Sequence, residues 1–334
     1  MSKIKPAKGS PYARILGVGG YRPIRVVPNE VILETIDSSD EWIRSRSGIA
    51  TRHWASPEET VAAMSVEASG KALADAGVAP EQIGAVIVST VSHFKQTPAV
   101  ATEIAHRIGA VKPAAFDISA GCAGFGYGLT LAKGMVVEGS AEYVLVIGVE
   151  RLSDLTDLED RATAFLFGDG AGAVVVGPSA EPAIGPTVWG SEGDKSDTIK
   201  QTVPWDEFRT NDTAEKFPAI TQEGQAVFRW AVFEMAKVAQ QALDAAGITA
   251  DDLDVFIPHQ ANMRIIDSMV KTLKLPEHVT VARDVETTGN TSAASIPLAM
   301  ERLLATGAAK SGDTALVIGF GAGLVYAATV VTLP

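Results

Sequence analysis

The chain has 334 residues, 46% hydrophobic and 20% charged, an ordinary globular composition with enough apolar material for one large core or two fused ones. Its net charge of −12 leaves no basic footprint of the kind a nucleic-acid-binding domain carries, and otherwise reports on solubility more than on partners. A single cysteine excludes an intrachain disulfide and suits a reducing, cytoplasmic compartment.

The first 20 residues include basic side chains but no long apolar run after them, so neither a signal peptide nor a membrane span is expected. The stretch ALADAGVAPEQIGAVIVST at 72–90 reads as the end of a helix, a glycine stop, a short polar turn and a buried strand. Residues 89–105 follow that strand and carry Pro98 before a helix-like run. PAAFDIS at 113–119 looks like a strand, and beyond it Leu129, Leu131, Met135 and Val136 follow helical spacing. Cys122, the only cysteine, therefore falls at a sharp strand-to-helix turn among glycines and alanines. Small neighbours admit a substrate closely, and the unpaired N–H groups of a helix start favour thiolate over thiol. A free cysteine is also a common small core residue, so the reading rests on its partners.

SAEYVLVIG at 140–148 gives the next strand, and GDGAGAVVVG at 168–177 closes a first half. Residues 179–222, rich in Pro, Gly, Thr and Asp, read as a long connection. ALDAAGITADDLDVFIPHQ at 242–260 then repeats the pattern of 72–90, and SGDTALVIG at 311–319 repeats that of 140–148. Two matches in the same order at nearly one offset imply two similar halves, 13–178 and 223–334. Each would hold a mostly buried sheet flanked by helices, an α/β architecture.

A thiolate that acts as a nucleophile needs hydrogen-bonding partners. Of the five histidines only His259 ends a buried strand within a distinctive motif, DVFIPHQAN at 254–262; His93 follows a first-half strand and is its rival. In TGNTSAASIPLAMERLL at 288–304, Asn290 occupies a Gly-Asn turn, with Thr291 or Ser292 expected to cap the helix that follows. Asn290 thus stands near the repeat equivalent of Cys122. Finally, Gly321-Ala322-Gly323 joins two strand-like runs, where exposed backbone N–H groups suit an oxyanion.

Together these segments resemble β-ketoacyl-acyl-carrier-protein synthase III, the initiating condensing enzyme of dissociated fatty acid synthesis, over nearly the whole chain. The most specific motifs are SSDEWIRSRSGI at 38–49, GCAGF at 121–125, FLFGDGAGA at 165–173, HQANMRI at 259–265 and TGNTSAAS at 288–295. The resemblance implies a thiolase-like fold of two similar halves in five layers. It implies Cys122 as nucleophile, His259 and Asn290 as the decarboxylation pair, and the N–H groups of Cys122 and Ala322 as the oxyanion hole. Trp42, Arg46 and Arg161 match coenzyme A contacts, where an indole face and a guanidinium plane stack well on a purine.

Carrier-protein docking is expected beside 260–274, at Gln260, Arg264, Lys271 and Lys274. There a local basic patch would offset the repulsion between an acidic carrier and an acidic enzyme. Thr97 and Phe167 are expected at the acyl pocket. The resemblance implies that the loop bearing Thr97 reaches across a homodimer interface. Threonine in place of a phenylalanine found in some acetyl-CoA-preferring relatives implies room for short branched primers such as isobutyryl-CoA. No metal and no cofactor are expected, acyl-CoA being a substrate. A thiolase would need a second cysteine, and chain-elongating synthases have a second histidine where Asn290 stands. A secondary-metabolism acyltransferase of the same family, or a non-catalytic partner of a condensing enzyme, is the alternative.

Overall fold

The computed structural model describes residues 4, 5, 7–210 and 216–334. The N-terminal reading falls partly on residues 1–3 and 6, and the 179–222 connection partly on 211–215, all outside the described residues.

Strict alternation along the strands builds the layers. In Tyr143–Arg151, Val144 and Val146 point into one apolar cluster while Leu145, Ile147 and Val149 point into another. In Thr314–Gly321, Ala315 and Val317 face the first of these clusters, and Leu316, Ile318 and Phe320 face a third. A strand buried on both faces must be apolar at every position, which is why VLVIG and ALVIG are unbroken runs.

The first sheet has the order Tyr12–Tyr21, Asp169–Ser179, Tyr143–Arg151, Ile83–Ser89, Ala114–Ile118. The second has the order Val188–Ser191, Val325–Thr332, Thr314–Gly321, Val255–Pro258, Thr280–Val281. In each sheet the last three strands run parallel and the first two are joined antiparallel. The two sheets therefore share one topology.

Helices Gly124–Glu138 and Ser295–Thr306 lie between the sheets. Val61–Ala76 and Val100–Ile108 cover the outside of the first, and Met235–Ala246 covers the second, with Met263–Leu273 packed beside it. The result is five layers, helix–sheet–helix–sheet–helix. The middle layer is tight: a Cβ on Gly126 would come within 2.8 Å of Ala327, and one on Gly128 within 2.8 Å of Val146. Leu129 of this layer is fully buried, and truncation to alanine there costs about 2–5 kcal/mol.

The repeated sequence pattern reappears as repeated geometry. Helix Val61–Ala76 ends on left-handed Gly77 and helix Met235–Ala246 on left-handed Gly247. Each is followed by a short 3-10 turn, Pro80–Gln82 or Ala250–Asp252, and then a buried strand.

Three local expectations change. Residues 179–222 are more than a connection, because Val188–Ser191 pairs with Val325–Ala328 as the edge of the second sheet. A four-residue edge strand half-buried on one face and exposed on the other carries too little pattern to read. Leu131 is 38% exposed, while Ala132 takes the inward position with Leu129 and Val136. Neither Thr291 nor Ser292 caps a helix: a 3-10 turn at Ser292–Ala294 intervenes, and helix Ser295–Thr306 has no side-chain cap.

Candidate active site

Cys122 sits where the chain leaves strand Ala114–Ile118, in a 3-10 turn Gly121–Ala123 that leads into helix Gly124–Glu138. Gly121 has φ +47°, a left-handed value that glycine adopts without penalty. The Gly321-Ala322-Gly323 turn lies directly against it. A Cβ on Gly321 would stand 2.9 Å from the Cys122 Sγ and 3.0 Å from its N. A Cβ on Gly121 would stand 3.3 Å from the Ala322 N. Only backbone fits in this gap, which brings the Ala322 turn up against the Cys122 turn.

His259 follows strand Val255–Pro258, and its N–H donates to the Ile318 carbonyl at 2.7 Å, fixing it at the end of the parallel ladder. Its ring is 2% exposed, and Nδ1 lies 2.7 Å from the Ser295 Oγ. The same oxygen accepts the Gln260 N–H at 3.3 Å. The Gln260 N–H can only donate, so Nδ1 is the acceptor the Ser295 hydroxyl finds, and donation there leaves the imidazole proton on Nε2. Burial holds the imidazolium down to about 3, so the ring is neutral across the physiological range.

Asn290 is gripped by the first half. Its N–H donates to the Leu166 carbonyl at 2.9 Å, and its carbonyl accepts the Gly168 N–H at 3.0 Å. Its Oδ1 accepts the Ser292 N–H at 2.8 Å, which assigns the amide and frees Nδ2 as a donor.

Cys122, His259 and Asn290 line one cavity of about 210 Å³, with Phe167, Phe320 and Ala322 in its wall. Burial pushes the Cys122 thiol up to about 12; the Ser292 hydroxyl opposes that shift and the buried Glu150 carboxylate adds to it. Desolvation thus opposes the thiolate that the helix start favours. His93 is not among the lining residues.

A second cavity of about 530 Å³ shares Gln222, Val227, Ala261, Ile265 and Asn290 with the first and opens past Trp42, Arg46, Phe228 and Arg264. Ser39 caps the short helix Asp40–Ser47 by accepting the Trp42 N–H at 3.1 Å. The Arg161 guanidinium lies 4.9 Å above the Trp42 ring, Arg46 lies at 5.8 Å, and Arg264 lies 5.0 Å over Phe228. The mouth is cationic although the chain is acidic.

Two expected residues stand elsewhere. Gln260 is 1% exposed; its Nε2 donates to Pro258 and Ala282 carbonyls and its Oε1 accepts the Val285 N–H. Its side chain is spent on holding this corner, so it is not a docking residue. Thr97 is exposed and absent from the cavity wall of its own chain. Arg264, Lys271 and Lys274 are all exposed. Sequence reading missed Ser295, which holds the His259 ring, and gave Ser292 only as a helix cap although it lines the cavity. It also missed the ribbon Ile199–Gln201 with Ile220–Gln222, which supplies cavity wall.

Among the described residues no group of three or more His, Cys, Asp or Glu is placed to hold a metal, and no helix is long and apolar enough to cross a membrane.

Fold and site together define a thiolase-like condensing enzyme, an acyltransferase. The model of the 3-oxoacyl-[acyl-carrier-protein] synthase III C-terminal region matches residues 243–333, and that of 3-oxoacyl-[acyl-carrier-protein] synthase III matches 116–193. The chain is 87% identical to beta-ketoacyl-[acyl-carrier-protein] synthase III 1 of Streptomyces coelicolor, and 88% identical to the synthase III of Streptomyces glaucescens, with full coverage of both chains in each case. Its fold matches a priming β-ketosynthase from the R1128 polyketide biosynthetic pathway with a TM-score of 0.97 at 47% identity, covering 100% of this chain and 99% of that one. The 3-oxoacyl-(acyl carrier protein) synthase III of Pseudomonas aeruginosa matches at 0.88 and 35%, covering 97% and 98%. The chain belongs to the 3-oxoacyl-[acyl-carrier-protein] synthase III family.

Proposed function

We propose that this enzyme joins a short acyl group, taken from acyl-CoA, to malonyl-acyl-carrier protein and so initiates fatty acid synthesis. In the first half-reaction Cys122 attacks the thioester carbonyl and coenzyme A leaves. The oxyanion faces the N–H groups of Cys122 and Ala322. In the second, malonyl-carrier protein loses carbon dioxide; its thioester oxygen, becoming an enolate, accepts hydrogen bonds from His259 Nε2 and Asn290 Nδ2. The enolate carbon attacks the acyl-cysteine, the C–S bond breaks, and 3-oxoacyl-carrier protein departs.

The observation that carries this reading is the convergence of one thiol and two neutral donors in a single cavity. A neutral imidazole is the right form, because an oxygen gaining negative charge needs a donor throughout and no proton need be gained or lost at His259.

Coenzyme A is assigned to the cationic mouth, with its adenine against Trp42. Arg161 covers that ring at 4.9 Å, whereas a base held between the two planes needs about 7 Å, twice a van der Waals contact. Arg161 therefore swings outward on binding. Carrier protein is assigned to Arg264, Lys271 and Lys274, the acyl pocket to Phe167 with Thr97 from a second copy of the chain, and the working form to a cytoplasmic homodimer. Incubation with isobutyryl-CoA and malonyl-carrier protein should yield the corresponding 3-oxoacyl-carrier protein by mass, and Cys122→Ala should yield none. Product formation by the alanine variant at the wild-type rate would overturn the reading.

A further inference from the structure

Glu150 is fully buried near the end of strand Tyr143–Arg151, and the reaction above does not use it. Strand Ile83–Ser89 pairs alongside as far as Ser89 and Gly148, and the chain then bends through Thr90, Val91 and Ser92 past the carboxyl group. All three residues are tied to it. The Ser92 hydroxyl donates to Oε2 at 2.6 Å, the Val91 N–H at 3.1 Å and the Thr90 hydroxyl at 3.3 Å. Ser92 Oγ also accepts the Arg151 N–H at 2.7 Å, and the Ser92 N–H donates to Thr90 Oγ1 at 3.2 Å.

Thr90 and Ser92 are buried, and a polar group left unpaired in such a place costs more than its bond is worth. The carboxyl group therefore fixes the bend. With the Val91 N–H and the hydroxyls on either side of it spent on Glu150, the isopropyl group is the free face of the bend. Val91 is 38% exposed, and it lines the cavity of Cys122. Leu152 and Leu155 line the same cavity from the 3-10 turn that begins straight after Arg151. One buried side chain thus ties together two segments of apolar wall in the cavity that holds the thiol.

We propose that Val91 selects the acyl group by its length, and that Glu150 is the positioning residue that holds Val91 in the wall. The inference rests on the condensing function proposed above. An acyl chain carried on Cys122 is apolar and has to be covered by apolar surface of this cavity. Val91 offers such surface, left uncovered by its own chain. A fixed wall discriminates by volume, because an extra carbon that meets it must displace packed atoms; a wall that yields does not discriminate. Thr97 lies further along the same loop, exposed and outside the cavity wall of its own chain, so it reaches an acyl group only from a second copy. Val91 acts within one chain.

The test lets acetyl-, isobutyryl- and hexanoyl-CoA compete for Cys122 and reads the ratio of acyl-enzymes by intact mass. All products form on the same folded molecules, so the ratio is independent of how much enzyme is folded. Val91→Ala removes two methyl groups from the wall and should raise hexanoyl over acetyl by roughly fourfold for each carbon admitted. Val91→Leu should lower isobutyryl over acetyl. Glu150→Ala and Ser92→Ala release the bend and should raise the hexanoyl ratio several-fold with Val91 intact. Glu150→Gln presents a carbonyl oxygen where Oε2 stands and should return the ratio toward wild type; a glutamine ratio equal to that of alanine assigns the effect to charge and overturns the positioning role. Unchanged ratios in both Val91 variants remove Val91 from the acyl wall, and a wild-type ratio in both Glu150→Ala and Ser92→Ala leaves the carboxyl group to packing alone. Either result overturns the proposal, and if Glu150→Ala does not fold, Ser92→Ala decides by itself. A wild type that loads none of the three overturns the function on which the proposal rests.

Discussion

His259→Ala tests the division of labour between the two half-reactions. The substitution deletes one buried neutral donor, Nε2–H, and leaves the Cys122 and Ala322 N–H groups in place. Loss of a single preorganised donor to an oxyanion costs about 2.7–4 kcal/mol, or roughly 10²–10³ in rate. The ring is 2% exposed and tied to Ser295, so no neighbour swings in to replace it. Condensation by enzyme already acylated on Cys122 should therefore fall by that factor, read as 3-oxoacyl product per unit time. Loading from acyl-CoA, followed by intact mass, should change by no more than a few-fold. Because burial keeps the ring neutral down to about 3, wild-type condensation should carry no inflection at the ordinary histidine value near 6.5. Equal loss in loading, or an inflection near 6.5 that disappears in the alanine variant, would refute the reasoning.

Gly321→Ala would bring a methyl within 3.0 Å of the Cys122 Sγ and N; acyl loading should drop by on the order of 10²-fold while the protein still folds, as checked by circular dichroism and intact mass. Arg264→Glu reverses charge at the mouth and should raise KM for malonyl-carrier protein, leaving the loading rate from acyl-CoA nearly intact; an unchanged KM removes Arg264 from docking. Thr97 is exposed in the single chain, so Thr97→Phe acts only where copies meet; competition among acetyl-, butyryl- and isobutyryl-CoA should shift toward acetyl, and an unchanged ratio excludes it from the acyl pocket. In acid, His259 should weaken the fold. Its folded value of about 3 lies below the ordinary 6.5, so its contribution is complete above 6.5 and declines as pH falls toward 3, by up to about 1.4 kcal/mol per pH unit. Urea midpoints at pH 7.5 and 5 should converge in His259→Asn relative to wild type.

The sequence by itself determined the elements and their duplication. Unbroken apolar runs such as VLVIG at 144–148 are readable because a strand buried on both faces admits nothing else. The glycine stops at Gly77 and Gly247 are readable because left-handed helix ends favour glycine. The chemistry of Cys122, His259 and Asn290 was legible as three separate turns at strand ends, each in a distinctive motif. Their meeting was not, since they are brought to one cavity by contacts between the halves: Asn290 on Leu166 and Gly168, and the Gly321 turn on Cys122. Burial was equally hidden. It decides that desolvation works against the thiolate at the helix start, that His259 is neutral, and that Gln260 is a structural residue. A residue's type fixes its ordinary acidity, but only its neighbours in space set the solvent it has lost and the partner it has gained.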